Sequence, residues 1–315
     1  MIKYSMLLAT TAFAVLTGCK KTLSKGDTDF QVAAQKTTLA IGDTAMFSFT
    51  GNPDVVTFYS GEIGKRYEYR NRTSADGTPV LSFGTKRENG SQANSLAILV
   101  SNNFPGVAVN DTATTLNNIA SATWNDITAR TTLSTGAFVT SSVDLSDFAA
   151  LGKPVFVAFK YVASAGSLQN KWTISGFGIN NTLPDASSYT IANMNSNNVA
   201  YTNYGVSTYS PGFVTYKIQN SYSWAIGTNL VITGATSTAA ATAPAEAWAI
   251  IGPINLKKVT PDIGMVVKTV SQNMAGLMFN YRYSSVGSYN AIFTGGRVSS
   301  DESEYTVDSI KIVIQ

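Results

Sequence analysis

The 315-residue sequence contains no histidine and a single cysteine, and only 13% of its residues are charged. The lack of histidine excludes Ser-His-Asp and Cys-His catalysis and removes the usual ligand of zinc, copper and non-haem iron. A single cysteine cannot form a disulfide within the chain. We therefore predict no cofactor. A structural calcium held by loop oxygens is the one metal that this composition leaves open.

Long apolar stretches and an excess of one charge are also missing. No apolar run reaches the about 20 residues that a membrane-spanning helix needs. The formal net charge is +3, with 22 Lys and Arg against 19 Asp and Glu. A nearly neutral chain without a basic stretch does not attract a polyanion. We therefore predict that nucleic acid is not a partner.

The N-terminal residues have the form of an export signal. Lys3 precedes an apolar stretch, residues 6–16, that is too short to span a bilayer. The run Leu16-Thr17-Gly18-Cys19 resembles the lipobox of bacterial lipoproteins, in which the cysteine thiol receives a diacylglycerol. We predict a lipoprotein signal peptide over residues 1–18, lipidation of Cys19 and a flexible tether over residues 19–29.

A lipid on Cys19 implies a membrane location for the rest of the chain. Each buried methylene contributes about 0.8 kcal/mol, so two or three acyl chains hold a protein stably in a lipid bilayer. We predict a lipid-anchored outer-membrane protein. Lys20 and Lys21 occupy positions where many outward-facing lipoproteins carry acidic residues. The sequence therefore leaves open whether the protein faces the cell surface or the periplasm.

Alternating apolar and polar residues dominate the remaining chain, which indicates an all-β fold. Residues 30–87 and 258–315 each carry too few strands for a sandwich, but together they supply about the seven strands of an immunoglobulin-like domain. The first segment resembles the opening of a PKD-type domain and the second its end. We predict one immunoglobulin/PKD-like β-sandwich split by an insertion. The alternative is two small separate caps.

The insertion, residues 88–257, has a strand pattern of its own. A Val-Asp-Leu-Ser strand at 143–146 leads through Gly152-Lys153 to the apolar strand 155–161 and then to a Trp-x-Ile strand at 172–174. This order resembles the jelly-roll domains of secreted bacterial proteins. We therefore predict a jelly-roll β-sandwich for the insertion.

Two short runs carry a wider resemblance. They are Phe58-Tyr-Ser-Gly-Glu62 with the following Tyr67-x-Tyr69 pair, and Pro261-Asp262-x-Gly264. Together with the lipobox, they resemble an uncharacterised family of Bacteroidetes-type lipoproteins that is known only as a domain of unknown function. Members often accompany outer-membrane glycan importers of the starch-utilisation type. The resemblance implies a glycan ligand and an importer complex as partners, and it supplies no catalytic residues.

Aromatic side chains between residues 189 and 224 are the main candidates for ligand binding. Tyr and Trp provide flat contact area with a polar tip, which suits the C–H face and hydroxyl rim of a sugar. The alternative is ordinary cross-strand packing. Trp172 and Trp248 are assigned to the core. The predicted ligand-binding residues are Tyr201, Tyr204, Tyr209 and Trp224, together with Trp124 outside that segment.

Charged residues offer two weaker hypotheses. The mixed-charge run 62–72 is either a site for an anionic sugar or a solvated hairpin. A glycosidase needs two carboxylates about 5–10 Å apart. No motif pairs any two of the acids available in the insertion, so we predict no enzyme. Those acids are Asp126, Asp144, Asp147, Asp185 and Glu246.

The function predicted from these features is non-catalytic binding of a polysaccharide or oligosaccharide by a membrane-anchored lipoprotein, in which the jelly roll is the binding module. Two alternatives from other classes remain open. One is an adhesion or assembly subunit whose ligand is a protein, which a broad exposed apolar patch would favour. The other is a glycoside hydrolase.

Overall fold

A computed structural model describes residues 29–108, 111–194, 212–298 and 303–315. About half of the chain is strand (48%) and 8% is helical, which confirms the predicted all-β sandwich class. No helix in the described ranges is long and apolar enough to cross a membrane. The predictions for Cys19, Tyr201, Tyr204 and Tyr209 lie outside the described residues.

Short and medium-length strands make up most of the regular structure, and helices are few and short. In chain order, the strands are β1 (Gln31–Ala34), β2 (Thr38–Leu39), β3 (Ala45–Thr50), β4 (Val55–Tyr59), β5 (Thr78–Glu88), β6 (Leu96–Ser101), β7 (Asn125–Asp126), β8 (Val139–Asp144), β9 (Val155–Ala163), β10 (Lys171–Thr182), β11 (Ser188–Asn193), β12 (Phe213–Gln219), β13 (Ala225–Ile226), β14 (Leu230–Thr233), β15 (Ala245–Ile254), β16 (Met265–Lys268), β17 (Met278–Tyr281), β18 (Gly287–Val298) and β19 (Ser303–Ile314). The helices are α1 (Thr112–Ser121) and α2 (Ser146–Ala149), with 3₁₀ turns at Tyr67–Tyr69 and Thr128–Arg130.

The chain forms two compact units. The terminal unit combines the residues up to Phe58 with Met265–Gln315, and the central unit is Tyr59–Gly264. The sequence predicted that the insertion would span residues 88–257. In the structure, residues 59–87 and 258–264 also belong to the central unit. The reason is β5, which pairs with β10 and β8 and buries Leu81 and Phe83 in the central core.

The terminal unit is a sandwich whose two sheets draw on both ends of the chain. Its three-stranded sheet has the order β1-β3-β17, and its five-stranded sheet the order β16-β4-β18-β19-β2. Phe47 of β3 and Phe58 of β4 lie 4.9 and 4.6 Å from Phe293 of β18, measured between ring centroids. The N-terminal and C-terminal strands therefore share one aromatic core.

The central unit consists of two larger sheets. One has the order β13-β14-β10-β5-β8, with β11 paired to β10, and the other has the order β12-β15-β9-β6-β7. In a jelly roll the chain passes repeatedly between two antiparallel sheets through two Greek keys. Eight strands, taken in the order β14, β15 and then β5 to β10, have the strand pairing of a jelly roll. In the chain itself, β14 and β15 come after the other six strands. The central unit is thus a jelly roll with a rotated chain order.

Strand β9 shows how period-2 alternation creates two different surfaces on the five-stranded sheet. Val157, Phe159 and Tyr161 point inward and are fully buried in the core between the sheets. Phe156, Ala158 and Lys160 point to the opposite face. A second, smaller apolar cluster covers that outer face, and helix α1 contributes to it through Ile119.

Candidate functional site

An open groove of about 840 Å³ lies on the outer face of the five-stranded sheet of the central unit. Strands β6, β7, β9, β12 and β15 form its floor, and helix α1 with the segment that follows it forms one wall. Its polar and aromatic lining residues are Asn117, Trp124, Asp126, Lys160, Glu246 and Trp248, and its aliphatic ones include Leu99, Leu116 and Ile218.

Helix α1 is fixed at its start and along one face. The Asp111 side chain caps it by accepting a hydrogen bond from the Thr114 backbone N–H at 2.9 Å. Thr115 and Ile119, four residues apart, are buried against the sheet. Because helix neighbours lie three and four residues apart, Asn117 and Ala120 then fall on the side that lines the groove.

Two tryptophans form the aromatic part of the groove. The rings of Trp124 and Trp248 have centroids 5.1 Å apart and planes inclined by 59°. The Nε1–H of Trp124 donates to the Ile119 carbonyl at 3.0 Å, and that of Trp248 donates to Glu246 Oε1 at 2.7 Å. Both indole donors are therefore used within the protein, which leaves ring surface, rather than a polar group, for a ligand.

Charged side chains surround the tryptophans. Lys160 lies opposite Trp248 in the strand register, and its Nζ is 5.2 Å from the Trp248 ring centroid. The same Nζ is 3.3 Å from Glu246 Oε1, and the two side chains are 30% and 26% exposed. Asp126 lines the same groove and accepts a hydrogen bond from the Thr128 backbone N–H. The groove thus combines apolar ring surface with accessible acceptors.

Of the predicted ligand-binding residues, the structure describes only Trp124 and Trp224, and these two do not lie together. Trp124 lies in the groove and is partly exposed. Trp224 does not line the groove: its side chain is 3% exposed and lies in the core between the two sheets. Its Nε1–H donates to the Ala247 carbonyl at 3.2 Å, so the polar group of the indole is bonded inside the fold.

Sequence reasoning did not assign a ligand-binding role to three residues of the groove: Lys160, Glu246 and Trp248. Trp248 is buried, as expected, but in the outer cluster rather than in the core between the sheets. A signal was present in the alternation of β9 and β15, which puts Lys160 on the face opposite Phe159 and puts Glu246 on the same face as Trp248. Alternation within a strand does not indicate which distant segment packs on this face.

The charged run 62–72 is part of a buried ion cluster. Asp262, whose side chain is 1% exposed, lies between two arginines, with Oδ2 at 3.2 Å from Arg66 Nε and Oδ1 at 3.4 Å from Arg72 Nη2. The Arg66 backbone N–H also donates to Asp262 at 3.0 Å. The Asp262 backbone N–H in turn donates to the Tyr69 carbonyl at 3.2 Å, so the two segments that carry the family resemblance contact each other. We call Arg66, Arg72 and Asp262 the clasp.

Further contacts complete the clasp. The Tyr69 ring has the guanidinium carbons of Arg66 and Arg72 at 4.5 and 4.0 Å from its centroid. Arg66 Nη1 is also 2.7 Å from Asp185 Oδ2. The hydrogen bond from the Ser187 hydroxyl and the contact with Arg66 lower the pKa of Asp185 to about 2, although partial burial acts in the opposite direction. Since carboxylates of the protein already bind both arginines, the geometry supports neither a site for an anionic sugar nor a solvated hairpin.

The fold and this groove define an all-β sandwich protein whose jelly roll carries an open, ligand-sized groove. A family model described as "Domain of unknown function (DUF5017)" matches residues 18–199, more than half of the chain. The chain belongs to this family. The match contains Trp124 and Lys160 but ends before Glu246, Trp248 and Asp262. No curated protein and no solved structure matches the chain.

Proposed function

We propose that this protein is a membrane-anchored lipoprotein that binds a polysaccharide or oligosaccharide, without catalysis, in the groove of its central unit. The observation that carries the proposal is the pairing of Trp124 with Trp248 on an open sheet surface bordered by hydrogen-bonding groups. A groove of about 840 Å³ lies within the range of about 300–1,000 Å³ typical of small-molecule sites. Its open form allows a longer glycan to continue beyond it.

The chemistry of the groove matches the two kinds of surface on a sugar. A pyranose ring has an apolar C–H face that packs on an aromatic ring, and a rim of hydroxyl groups that need hydrogen-bond partners. Trp124 offers partly exposed ring surface because its N–H is already bonded. The Asn117 amide can both donate and accept, and the carboxylates of Asp126 and Glu246 can accept from hydroxyls.

The positions of the carboxylates support a non-catalytic role. Across the sheet, Asp126 pairs with Leu99, Leu99 with Ala158, and Ala158 with Ile250. Ile250 lies four residues after Glu246 on β15. Strand spacings of about 4.8 Å and rises of about 3.3 Å per residue put the Asp126 and Glu246 Cα atoms about 20 Å apart. The two carboxyl groups of a glycosidase lie about 5–10 Å apart.

A matched pair of helix variants tests the groove. Ala120 is exposed on α1 and lines the groove, whereas Ala113 is exposed on the same helix and does not line it. Arginine and alanine have similar helix propensities, so both replacements keep the fold. We expect Ala120→Arg to weaken glycan binding at least tenfold and Ala113→Arg to leave it unchanged, in a glycan array followed by calorimetry.

Three results of this experiment count against the proposal. Wild-type protein that binds no glycan on a broad array removes the function. Equal loss in both variants, or in neither, removes the groove as its location. If a protein ligand binds wild type, loses affinity in Ala120→Arg and is not displaced by any glycan, the groove recognises a protein instead.

We also propose lipidation of Cys19 and a place in the outer membrane beside a glycan importer. The lone cysteine at the end of a lipobox-like run supports the lipid, and the family resemblance supports the importer. We expect Cys19→Ser to abolish palmitate labelling and to move the protein from the membrane fraction to the soluble fraction. Labelling and fractionation that do not change in this variant would contradict the anchor.

A further inference from the structure

The groove carries three charged side chains whose charges do not cancel. The single cation, Lys160, is bonded to Glu246 at 3.3 Å and lies 5.2 Å from the Trp248 ring centroid. Asp126 forms no ion pair with any residue that the structure describes. The groove therefore has a formal charge of −1, and its ammonium group is already neutralised by the protein.

Glu246 is held in place by two different donors. The Trp248 Nε1–H and the Lys160 ammonium both approach its Oε1, at 2.7 and 3.3 Å. Glu246 also lies opposite Val162 in the register between β15 and β9, which fixes its backbone beside the groove. Its second oxygen, Oε2, accepts no hydrogen bond from the described residues and can accept one from a ligand hydroxyl.

We propose, resting on the carbohydrate-binding function above, that the groove selects neutral glycans over anionic ones and that Glu246 is the residue that determines this selectivity. A uronate or sulfate group that binds Lys160 would have to separate it from Glu246 and would then lie close to the Glu246 carboxylate. Discrimination of this kind works by repulsion of the wrong ligand as much as by attraction of the right one. A sugar with only hydroxyl groups meets no such penalty.

Substitution of Glu246 by glutamine gives a sharp test. The side-chain amide has the same shape, and its oxygen can still accept the Trp248 N–H, but the negative charge is lost. Lys160 then becomes an uncompensated cation beside the tryptophans. A matched control is Glu88→Gln, because Glu88 pairs with Lys86 and Lys171 in the same unit and does not line the groove.

The experiment compares a neutral glycan identified on the array with polygalacturonate, by affinity electrophoresis and calorimetry on the intact chain. We expect wild type to prefer the neutral glycan at least tenfold. We expect Glu246→Gln to gain affinity for polygalacturonate at least tenfold, in a manner that salt suppresses. Glu88→Gln should behave as wild type.

The two levels of the proposal fail in different ways. If wild type binds neither glycan, the proposed function fails and the selectivity falls with it. If wild type binds polygalacturonate as tightly as the neutral glycan, the selectivity alone is overturned and the proposed function stands. If wild type rejects polygalacturonate and Glu246→Gln gains nothing, or Glu88→Gln gains as much, then Glu246 is not the determinant.

Discussion

Replacing Asp262 with alanine is expected to lower the free energy of unfolding of the central unit by about 3 kcal/mol. Removing one partner of a buried ion pair typically costs about 3–5 kcal/mol, because the remaining charge stays buried without compensation. In the clasp, two guanidinium groups, on Arg66 and Arg72, lose the same carboxylate. We expect the lower end of that range because these side chains are 15% and 14% exposed and can be partly hydrated.

The protein supplies a convenient probe for this measurement. Its four tryptophans are Trp124, Trp172, Trp224 and Trp248, and all belong to the central unit. Indole fluorescence during urea unfolding therefore follows that unit. The matched control is Asp185→Ala, which removes the partly exposed carboxylate that also binds Arg66, and we expect a loss of about 1 kcal/mol or less. Equal losses in the two variants would contradict the central role of Asp262.

Replacing Trp224 with alanine is expected to cost about 3–5 kcal/mol of stability, as large-to-small core substitutions of tryptophan do. The side chain is 3% exposed and packs between the two sheets, and its removal also leaves the Ala247 carbonyl without its 3.2 Å donor. We expect urea unfolding, followed by the three remaining tryptophans, to show an earlier midpoint. Any loss of glycan binding should parallel the unfolded fraction.

A second substitution separates packing from recognition at Trp224. Trp224→Phe keeps most of the aromatic volume in the core, so we expect it to recover more than half of the lost stability. Glycan affinity of the folded Phe variant should equal that of wild type. A Trp224→Ala protein that is as stable as wild type but no longer binds glycan would show that the indole contacts the ligand after all.

The contrast between Trp224 and Trp124 shows where residue patterns stop being informative. Both indoles follow short polar segments rich in Ser, Thr or Asn, and nothing local distinguishes an inward from an outward ring. Trp224 turns inward, where the Ala247 carbonyl of β15 accepts its N–H. Trp124 lies on the outer face, where Trp248 packs against it. In each case the deciding partner is more than 20 residues away in the chain.

The clasp illustrates the same limit for charged residues. The run Arg66 to Arg72 and the isolated Asp262 were visible as separate features, and the sequence offered only a sugar site or a solvated hairpin for the run. About 190 residues separate the partners, whose pairing depends on the return of the chain after β15. Because these charged groups meet only after folding, no local pattern could reveal a buried ion cluster.

The sequence by itself determined the class of the fold. Alternation in strands such as β3 indicated pleated strands with one face in a core, and the shortage of charge with abundant Ser, Thr and Asn indicated strands rather than helices. The absence of histidine also removed most catalytic and transition-metal chemistry from consideration. These conclusions depend on residue type and on short periods, which a single chain records directly.

Tertiary structure decided the unit boundaries and the composition of the site. Strand β5 joined the central unit because β10 and β8 provide its pairing partners, although its place in the chain suggested the terminal one. The groove exists because helix α1 covers only part of the outer face, which leaves Trp124, Lys160 and Glu246 accessible beside Trp248. Such features arise from contacts between distant segments, and these depend on how strands are ordered across a sheet rather than along the chain.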